Sequence, residues 1–319
     1  MPDVTIVIPN YNGMAVLDTC LRSVLAQKGV TAQVIVVDNG STDGSQEFTG
    51  RNFPACELVC LDRNYGFSRA VNEGFRRAKS RYVILLNNDT EAEPDFAARL
   101  LAAIRRHKKC FSCQACMLQY QDRERLDSAG DLYCALGWAF SRGKGKSADA
   151  YPKGGRIFSS CAGAAIYRRD VAERLGGFDE AHFVYLEDVD ICWRARLAGY
   201  ENRYEPRARV YHIGSASSGS RHNSFKVGYA AGNSVYLIYK NMPLPQVLLN
   251  APFLLAGYLI KYLYFVKKGF GGDYRRGIRR GITLCRANRD RRFSFRAEHI
   301  PVCARLQLEL WRNILRLPS

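Results

Sequence analysis

Along the first 90 residues, hydrophobic and polar positions form blocks that predict strands alternating with helices. Apolar and largely β-branched runs at residues 4–8, 33–37 and 82–86 predict three buried strands. Amphipathic stretches at residues 15–28 and 67–79 predict helices between them. This alternation is typical of βαβ units, so we predict an α/β fold with a mostly parallel, Rossmann-like sheet flanked by helices.

Each of the three predicted strands ends in a polar cluster. The clusters occupy residues 9–13, 38–44 and 87–89 and are rich in Asn, Asp and Gly. Any one of them is ordinary turn composition. Ligands of such sheets bind beyond the carboxyl ends of the strands, so three successive clusters predict one shared polar site.

The rest of the chain predicts a less regular series of elements. We expect a helix at 95–107, an irregular stretch at 112–155, a strand at 157–167, a helix at 188–198, a strand at 207–212 and a mobile Ser/Gly-rich loop at 214–219. Composition shifts near residue 223. The sequence therefore predicts a catalytic domain of residues 1–222 and a C-terminal helical region of residues 223–319.

The C-terminal region contains an apolar stretch that has two interpretations. Residues 247–260 carry no charge, but they are fewer than the ~20 residues of a membrane-spanning helix and include Pro252. They could form a buried helical hairpin or an interfacial membrane segment. Residues 261–319 contain 15 Lys and Arg against 4 Asp and Glu, and this basic tail favours attachment to an anionic membrane surface.

Composition narrows the classes of protein to which this chain could belong. An apolar content of 47% and a charged content of 24% predict a globular protein. The formal net charge of +17 would also suit a nucleic-acid-binding protein, but most of the excess lies in the tail, which argues against nucleic acid as a partner. Cys110, Cys113 and Cys116 are spaced like zinc or Fe–S ligands but lack a second pair, which favours free cysteines in a strand. With no secretory signal at the N-terminus, we expect a reducing cytosol.

Seven motifs, in order, resemble the family 2 glycosyltransferases with the GT-A fold. They are VTIVIPNYNG (4–13), VVDNGSTDGS (36–45), NYGFSRAVNEG (64–74), LLNND (85–89), GGFDE (176–180), EDVDICWR (187–194) and HIG (212–214). The resemblance covers about residues 1–240 and is closest to the bacterial rhamnosyltransferase-like branch, which builds cell-surface polysaccharides.

The resemblance implies an inverting transfer of rhamnose or a hexose from a dTDP- or UDP-sugar. The acceptor would be a lipid-linked or polysaccharide glycan. The enzyme would be cytoplasmic and peripheral on the inner face of the cell membrane. Three alternatives stay open, namely a nucleotide-sugar-binding protein without activity, a basic nucleic-acid-binding protein and a nucleotidyltransferase. The nucleotidyltransferase is disfavoured because the turn after the first strand carries no basic residue.

The resemblance also places the donor. It implies that Pro9, Tyr11 and Asp38 frame the base, and Asp38 at a strand end can accept a hydrogen bond from uracil or thymine. An Asx turn is the alternative for Asp38, and helix capping is the alternative for Arg69 and Asn72. The other predicted donor contacts are Asn12, Asn39, Asn64, Gly66, Arg69, Asn72 and Asn88.

A divalent cation, Mg²⁺ or Mn²⁺, is the implied cofactor. Asn87, Asn88 and Asp89 occupy the place of the family's D-x-D metal motif, where a cation neutralises the diphosphate. Asn87 replaces the first acid, which leaves Asp89 as the charged ligand. His212 is a further predicted ligand, although a lone histidine at a strand end is equally often structural.

The catalytic base implied by the resemblance is Asp188. An inverting transfer needs a group that takes the proton from the acceptor hydroxyl as it attacks. Glu187 and Asp190 are predicted to orient the acceptor or the base. The alternative is that these acids only complement a helix N-terminus.

Overall fold

The structure, a computed structural model, describes residues 1–214 and 222–317. The strands are β1 (Val4–Asn10), β2 (Ala32–Asp38), β3 (Glu57–Cys60), β4 (Tyr82–Leu86), β5 (Thr90–Ala92), β6 (Cys110–Gln119), β7 (Leu126–Ser128), β8 (Asp131–Cys134), β9 (Trp138–Ser141), β10 (Gly155–Ile157), β11 (Ala164–Arg168) and β12 (Glu201–His212). The helices are α1 (Met14–Leu25), α2 (Ser45–Asn52), α3 (Phe67–Arg77), α4 (Phe96–Arg106), α5 (Arg169–Arg174), α6 (Glu187–Leu197), α7 (Ser224–Asn241), α8 (Leu244–Lys267), α9 (Gly271–Ala287) and α10 (Ile300–Ile314).

The large sheet is mixed, which corrects the prediction of a mostly parallel one. Its order is β10-β12-β6-β11-β4-β1-β2-β3, with β5 added to β12 and β7 added to β6. The first four strands pair in parallel through helical crossovers, as predicted. Strand β11 runs antiparallel between β4 and β6, because the chain returns to the sheet centre from the opposite edge.

Successive side chains along a strand point to opposite faces of the sheet, which explains why helices cover both faces. In β1, Ile6 and Ile8 point into one core while Val7 points into the other, and all three are fully buried. The first core lies under α1 and α4, and the second lies under α3 and α6. The predicted α/β architecture is therefore confirmed.

The stretch predicted to be irregular contains regular structure. Residues 112–155 include most of β6, together with β7, the β8–β9 hairpin and the start of β10. The strand expected around the three cysteines continues as β6 to Gln119, and its buried positions include polar residues, such as Ser112 and Gln114, whose hydrogen bonds are satisfied inside the protein. Cys110, Cys113 and Cys116 all lie in β6 as buried free cysteines, as predicted.

The C-terminal helices share a core with the sheet domain. Side chains from β8, α6, α7 and α10 meet in one cluster that includes Tyr133, Trp193, Leu237, Leu306 and Leu310. The predicted boundary at residue 222 falls beside residues 215–221. Those residues, which hold most of the loop predicted at 214–219, lie outside the described part of the chain.

Helix α8 is continuous through Pro252 and has 24 residues, so it is longer than the sequence suggested. Among the described helices it alone is long and apolar enough to cross a membrane, with a mean hydropathy of 1.4 in its best window, of which 17% is buried. Exposed apolar side chains cover its outer face: Leu248, Leu249, Leu255, Leu259, Ile260 and Leu263. A buried helical hairpin is therefore not what forms.

Helices α7 and α9 approach each other closely through small residues. A side chain at Gly277 would lie 2.5 Å from the carbonyl oxygen of Gly228, and one at Gly281 would lie 2.5 Å from that of Gly232. Glycine at these positions lets the two backbones touch.

Candidate active site

The residues predicted to bind a metal meet where β4 ends and β12 ends. Strand β5 pairs antiparallel with β12, which sets His212 opposite Thr90 and next to Asp89. His212 Nε2 lies 3.3 Å from Asp89 Oδ1. On the other side of the ring, Nδ1 lies 2.8 Å from an oxygen of Asp127. Asp127 was not foreseen, because it lies in the stretch predicted to be irregular.

The ionisable side chains at this end of the sheet shift one another's pKa values. Burial alone would lower the pKa of His212, but its hydrogen bonds with Asp127 and Asp89 raise that pKa to about 9. Asp127 is buried too, yet His212 and Lys144 lower the pKa of Asp127 to about 2. Lys144 Nζ lies 2.7 Å from Asp127. The imidazole is therefore held in a fixed orientation with Nε2 towards Asp89.

Asp188 stands in the first turn of α6, close to the same edge of the sheet. Its Oδ2 accepts a hydrogen bond of 3.2 Å from the backbone N–H of Ala162. The next residue, Gly163, accepts a hydrogen bond from the backbone N–H of Asn87. This chain of contacts ties the predicted base to the predicted metal motif.

A further carboxylate, Asp131 at the start of β8, faces Asp188. Ligand-type atoms of Asp131, Cys161 and Asp188 lie within 4.8 Å of one another, so this group could hold a metal ion. Burial and the charge of Asp188 raise the pKa of Asp131 to about 7. Burial also raises the pKa of Asp188. Nothing in the sequence pattern singled out Asp131.

Glu187 is more enclosed than an acceptor contact would require. Its side chain is buried, and Oε2 has no hydrogen-bond partner among the described residues. Burial, followed by the charge of Asp188, raises the pKa of Glu187 well above its usual range. Its surroundings therefore favour the uncharged form of Glu187 over the carboxylate.

Asp190 does not face the site, contrary to what its predicted acceptor role needs. It is fully buried and accepts hydrogen bonds from Arg194, Lys240 and Asn241 at 2.6–3.0 Å. Although burial opposes ionisation, Arg194 and Lys240 hold the pKa of Asp190 well below its usual range. Lys240 also bonds Asp179 at 2.6 Å. The ammonium group thus occupies a cluster of Asp179, His182 and Asp190 that would otherwise resemble a metal site.

On the donor side, Asp38 is already surrounded by hydrogen-bond donors. Asn10 and Gln46 donate side-chain hydrogen bonds of 2.7 Å, and the backbone of Ser41 donates one of 2.8 Å. The Ser41 contact is a local bond from the side chain to the backbone three residues on, so it is close to the Asx turn named as the alternative but is not one. A base that bonds Asp38 would replace one of these donors. Asn88 lies nearby, where it donates to Asn10 at 2.7 Å.

The other predicted donor residues lie near the same edge of the sheet, where the parallel strands end. Asn39 holds the turn before α3 by bonding Asn64, Tyr65 and Gly66. Tyr11 is 41% exposed, and Asn12 has a left-handed backbone with φ of 49°. Pro9, the remaining predicted base contact, is the last but one residue of β1.

Asn72 and Arg69 contact the GGFDE segment in this structure. Asn72 donates to the carbonyl of Phe178 at 2.8 Å and accepts from its backbone N–H at 2.9 Å. Arg69 forms a half-exposed ion pair of 3.3 Å with Glu180. Both contacts tie α3 to the GGFDE segment, so neither residue caps the helix in this structure. Gly66 faces Phe183, three residues after that segment, because a side chain at Gly66 would meet the backbone and ring of Phe183.

The segment that leads into α6 is strained and is held from the C-terminal region. Phe183, Tyr185 and Leu186 have φ of 64–72°, which non-glycine residues rarely adopt. The buried amide nitrogen of Asn233 in α7 lies within 2.9 Å of three carbonyl oxygens, those of His182, Val184 and Tyr185. Arg280 in α9 bonds the amide oxygen of Asn233 at 2.9 Å. The position of Asp188 therefore depends on helices beyond the predicted boundary.

Asp89 and His212 could hold a divalent cation if the cation displaces the proton that the raised pKa of His212 otherwise keeps on the ring. Adjacent ligands of an octahedral ion with bonds of about 2.1 Å lie roughly 3 Å apart, close to the observed 3.3 Å. One carboxylate with one imidazole suits Mn²⁺ better than Mg²⁺. Asn87 adds an amide at the strand end in place of a second acid.

Comparison with known proteins gives relatives of one kind. The family described as glycosyl transferase family 2 matches residues 5–176. An uncharacterized protein, y4gI, of Sinorhizobium fredii is 29% identical over 232 residues, which are 68% of this chain and 25% of that protein. The N-acetylglucosaminyl-diphospho-decaprenol L-rhamnosyltransferase of Mycobacterium tuberculosis is 26% identical over 239 residues, which are 67% of this chain and 77% of that enzyme.

Solved structures agree on the fold. GalNAc-T7, solved with UDP, GalNAc and Mn²⁺, superposes with a TM-score of 0.62 at 16% identity over 75% of this chain and 48% of that chain. The mannosyltransferase PcManGT of Pyrobaculum calidifontis, solved with GDP-Man and Mn²⁺, gives a TM-score of 0.57 at 17% identity over 100% of this chain and 81% of that chain. These likenesses confirm the predicted GT-A fold.

Proposed function

Because the chain belongs to glycosyl transferase family 2, we propose that it transfers a sugar from a nucleotide-diphosphate donor to a glycan acceptor with inversion. The observation that carries this proposal is the meeting of two kinds of group at one edge of the sheet. Asp89 and His212 are two neighbouring side chains that could bind a metal cation. Asp188 is a carboxylate without a cationic partner among the described residues.

Asp188 is the base in this proposal. Its carboxylate oxygens accept backbone N–H groups from Ala162 and Val189, which fixes their direction. Its raised pKa makes it a stronger proton acceptor than an exposed aspartate. Asp131 keeps its proton up to about pH 7, so it adds no negative charge beside Asp188 in acidic solution.

Asp89 and His212 would hold Mg²⁺ or Mn²⁺, which supplies charge neutralisation for the departing nucleoside diphosphate. Tyr11, Asn12 and the turn after β2 would receive the base and ribose. The donor would be a dTDP- or UDP-sugar carrying rhamnose or a hexose. A role in cell-surface glycan synthesis agrees with the rhamnosyltransferase of Mycobacterium tuberculosis among the relatives.

The protein would work on the cytoplasmic face of the membrane, as a peripheral enzyme. Helix α8 presents an exposed apolar face, and the chain from Lys261 onward is basic. An apolar face beside cationic residues is typical of helices that lie in the headgroup region of an anionic bilayer.

The test is a screen of nucleotide sugars for donor hydrolysis, with release of the nucleotide as the signal. We expect one dTDP- or UDP-sugar to be hydrolysed in the presence of Mn²⁺ and the reaction to stop when EDTA is added. Hydrolysis that is unaffected by EDTA would remove Asp89 and His212 from the proposed role. No hydrolysis of any nucleotide sugar, with no binding of UDP or dTDP, would contradict the proposed function itself.

A further inference from the structure

A cavity of about 260 Å³ lies between the tip of the β8–β9 hairpin and helices α7, α8 and α9. Aromatic and small apolar side chains make up most of its wall, and Lys226 and Lys261 add positive charge. The wall includes Trp138, Ala231, Tyr258, Phe265 and Tyr274. An apolar cavity with a few cationic groups suits a ligand that joins an apolar part to an anionic part.

Lys261 is the polar feature of this cavity that most clearly points to a ligand. It is half-buried and forms no ion pair with a carboxylate in the described part of the chain. Its ammonium lies 5.4 Å from the centre of the Trp138 ring, whose Nε1–H is fixed by a bond to the carbonyl of Gly257. Burial lowers the pKa of Lys261 to about 8, so the group is mostly charged at pH 7.

The cavity connects to the candidate base through two segments. Strand β8 begins at Asp131, in contact distance of Asp188, and the hairpin reaches the cavity at Gly137 and Trp138. At about 3.3 Å per residue, the strand from Asp131 to Cys134 covers roughly 10 Å. Tyr185, which also lines the cavity, lies three residues before Asp188. The cavity and the candidate base are thus supported by the same hairpin and by the same segment before α6.

The other side of the cavity wall is the apolar face of α8. Leu255, Leu259 and Leu263 follow each other at helical spacing and are 57–72% exposed. They lie on the same helix as Tyr258 and Lys261. An apolar chain that leaves the cavity would thus run along the surface proposed to contact the membrane.

We propose that this cavity binds the phosphate-bearing end of a lipid-linked sugar acceptor. Lys261 contacts the phosphate, the aromatic lining receives the first carbons of the lipid, and the sugar extends along the β8–β9 hairpin to Asp188. This inference rests on the proposed function, since it names the acceptor class of the same site.

The test uses farnesyl diphosphate as the probe, with the full chain and EDTA, so that the metal-dependent donor site does not contribute. We expect it to bind in equilibrium dialysis, and we expect farnesol and inorganic diphosphate to bind at least tenfold more weakly. Lys261→Gln should weaken binding of the probe about tenfold or more, because it removes a charge-assisted contact. Lys261→Arg should retain binding within about threefold.

Lys268→Gln is the matched control, since it removes an exposed lysine next to the end of α8 that does not line the cavity. It should bind the probe as the wild type does. Equal binding by the wild type and Lys261→Gln would overturn the proposal, as would inorganic diphosphate binding as tightly as the probe. If vesicles of phosphatidylglycerol displace the probe at equal lipid concentration, the cavity recognises membrane headgroups and the acceptor assignment is wrong.

Failure of this inference can be told apart from failure of the proposed function. Donor hydrolysis by the wild-type protein depends on the nucleotide-sugar site and is measured without any lipid. Donor hydrolysis without binding of farnesyl diphosphate would support the glycosyltransferase assignment and contradict the proposed role of the cavity. Binding of the probe that depends on Lys261, with no hydrolysis of any donor, would support the cavity as a binding site and contradict the proposed enzyme activity.

Discussion

Two carboxylates stand two residues apart on α6 in opposite surroundings. Asp188 has backbone N–H donors and a neighbouring carboxyl, Asp131, and burial raises its pKa. Asp190 is fully buried against Arg194 and Lys240, which lower its pKa despite that burial. One helix therefore carries an acid with little charge compensation beside one that is fully compensated.

The difference separates a chemical role from a structural one. A buried carboxylate that meets cations and hydrogen-bond donors is held as an ion and ties elements together, here α6 to α7. A carboxylate that meets another carboxylate is a better base and costs stability. Sequence alone groups both as first-turn acids, and only the partners across space distinguish them.

The largest expected effect follows from changing the uncompensated acid. Asp188→Asn should lower transfer by about 10³-fold, because general bases contribute typically 10²–10⁴. Binding of UDP or dTDP, measured by calorimetry, should stay within about twofold of the wild type. Asp122→Asn, which removes an exposed acid paired with Arg125, is the control. Full transfer by Asp188→Asn would show that Asp188 is not the catalytic base.

Changing the compensated acid should affect folding. Asp190→Asn leaves the charges of Arg194 and Lys240 buried around a neutral side chain, and removal of one partner of a buried pair costs about 3–5 kcal/mol. Urea unfolding measures this loss. Asp18→Asn breaks an exposed pair of the same i,i+4 spacing, with Arg22, and should cost less than about 1 kcal/mol. Unchanged stability with lost transfer would instead support the acceptor role first predicted for Asp190.

The smallest effect concerns the neighbour of the base. The folded protein keeps the Asp131 proton up to about pH 7, whereas the unfolded chain releases it near 3.8. The folded state is therefore favoured at low pH, and this contribution is lost between about pH 4 and pH 7, by roughly 2 to 4 kcal/mol. Asp131→Asn should flatten that fall in the free energy of unfolding. Asp149→Asn, at an exposed site, should follow the wild-type curve, and an unaltered slope in Asp131→Asn would contradict the raised pKa.

Much of the sheet and several site residues followed from the sequence. Helix α3 starts at the predicted Phe67, and β4 matches the predicted 82–86, because apolar periodicity and polar strand ends are local signals. The pairing of Asp89 with His212 was foreseen from a resemblance between motifs. Its geometry is set by the pairing of β5 with β12, which no local pattern reveals.

The groups that surround the predicted residues could not be predicted. Asp127 and Asp131 lie on short strands whose polar residues hide the alternation. Lys240 and Asn233 lie on a helix that reads as largely apolar, and their partners are about 50 residues away in the chain. Long-range polar contacts of this kind depend on tertiary packing, so sequence periodicity does not record them.

The glycine contacts between α7 and α9 affect whether this region can stay folded both in water and beside lipid. Contacts between backbones rely on close fit, so they hold beside lipid tails as well as in water. They keep α7 in place, and with it the amide of Asn233 on the strained segment before Asp188. These contacts do not involve the exposed apolar face of helix α8.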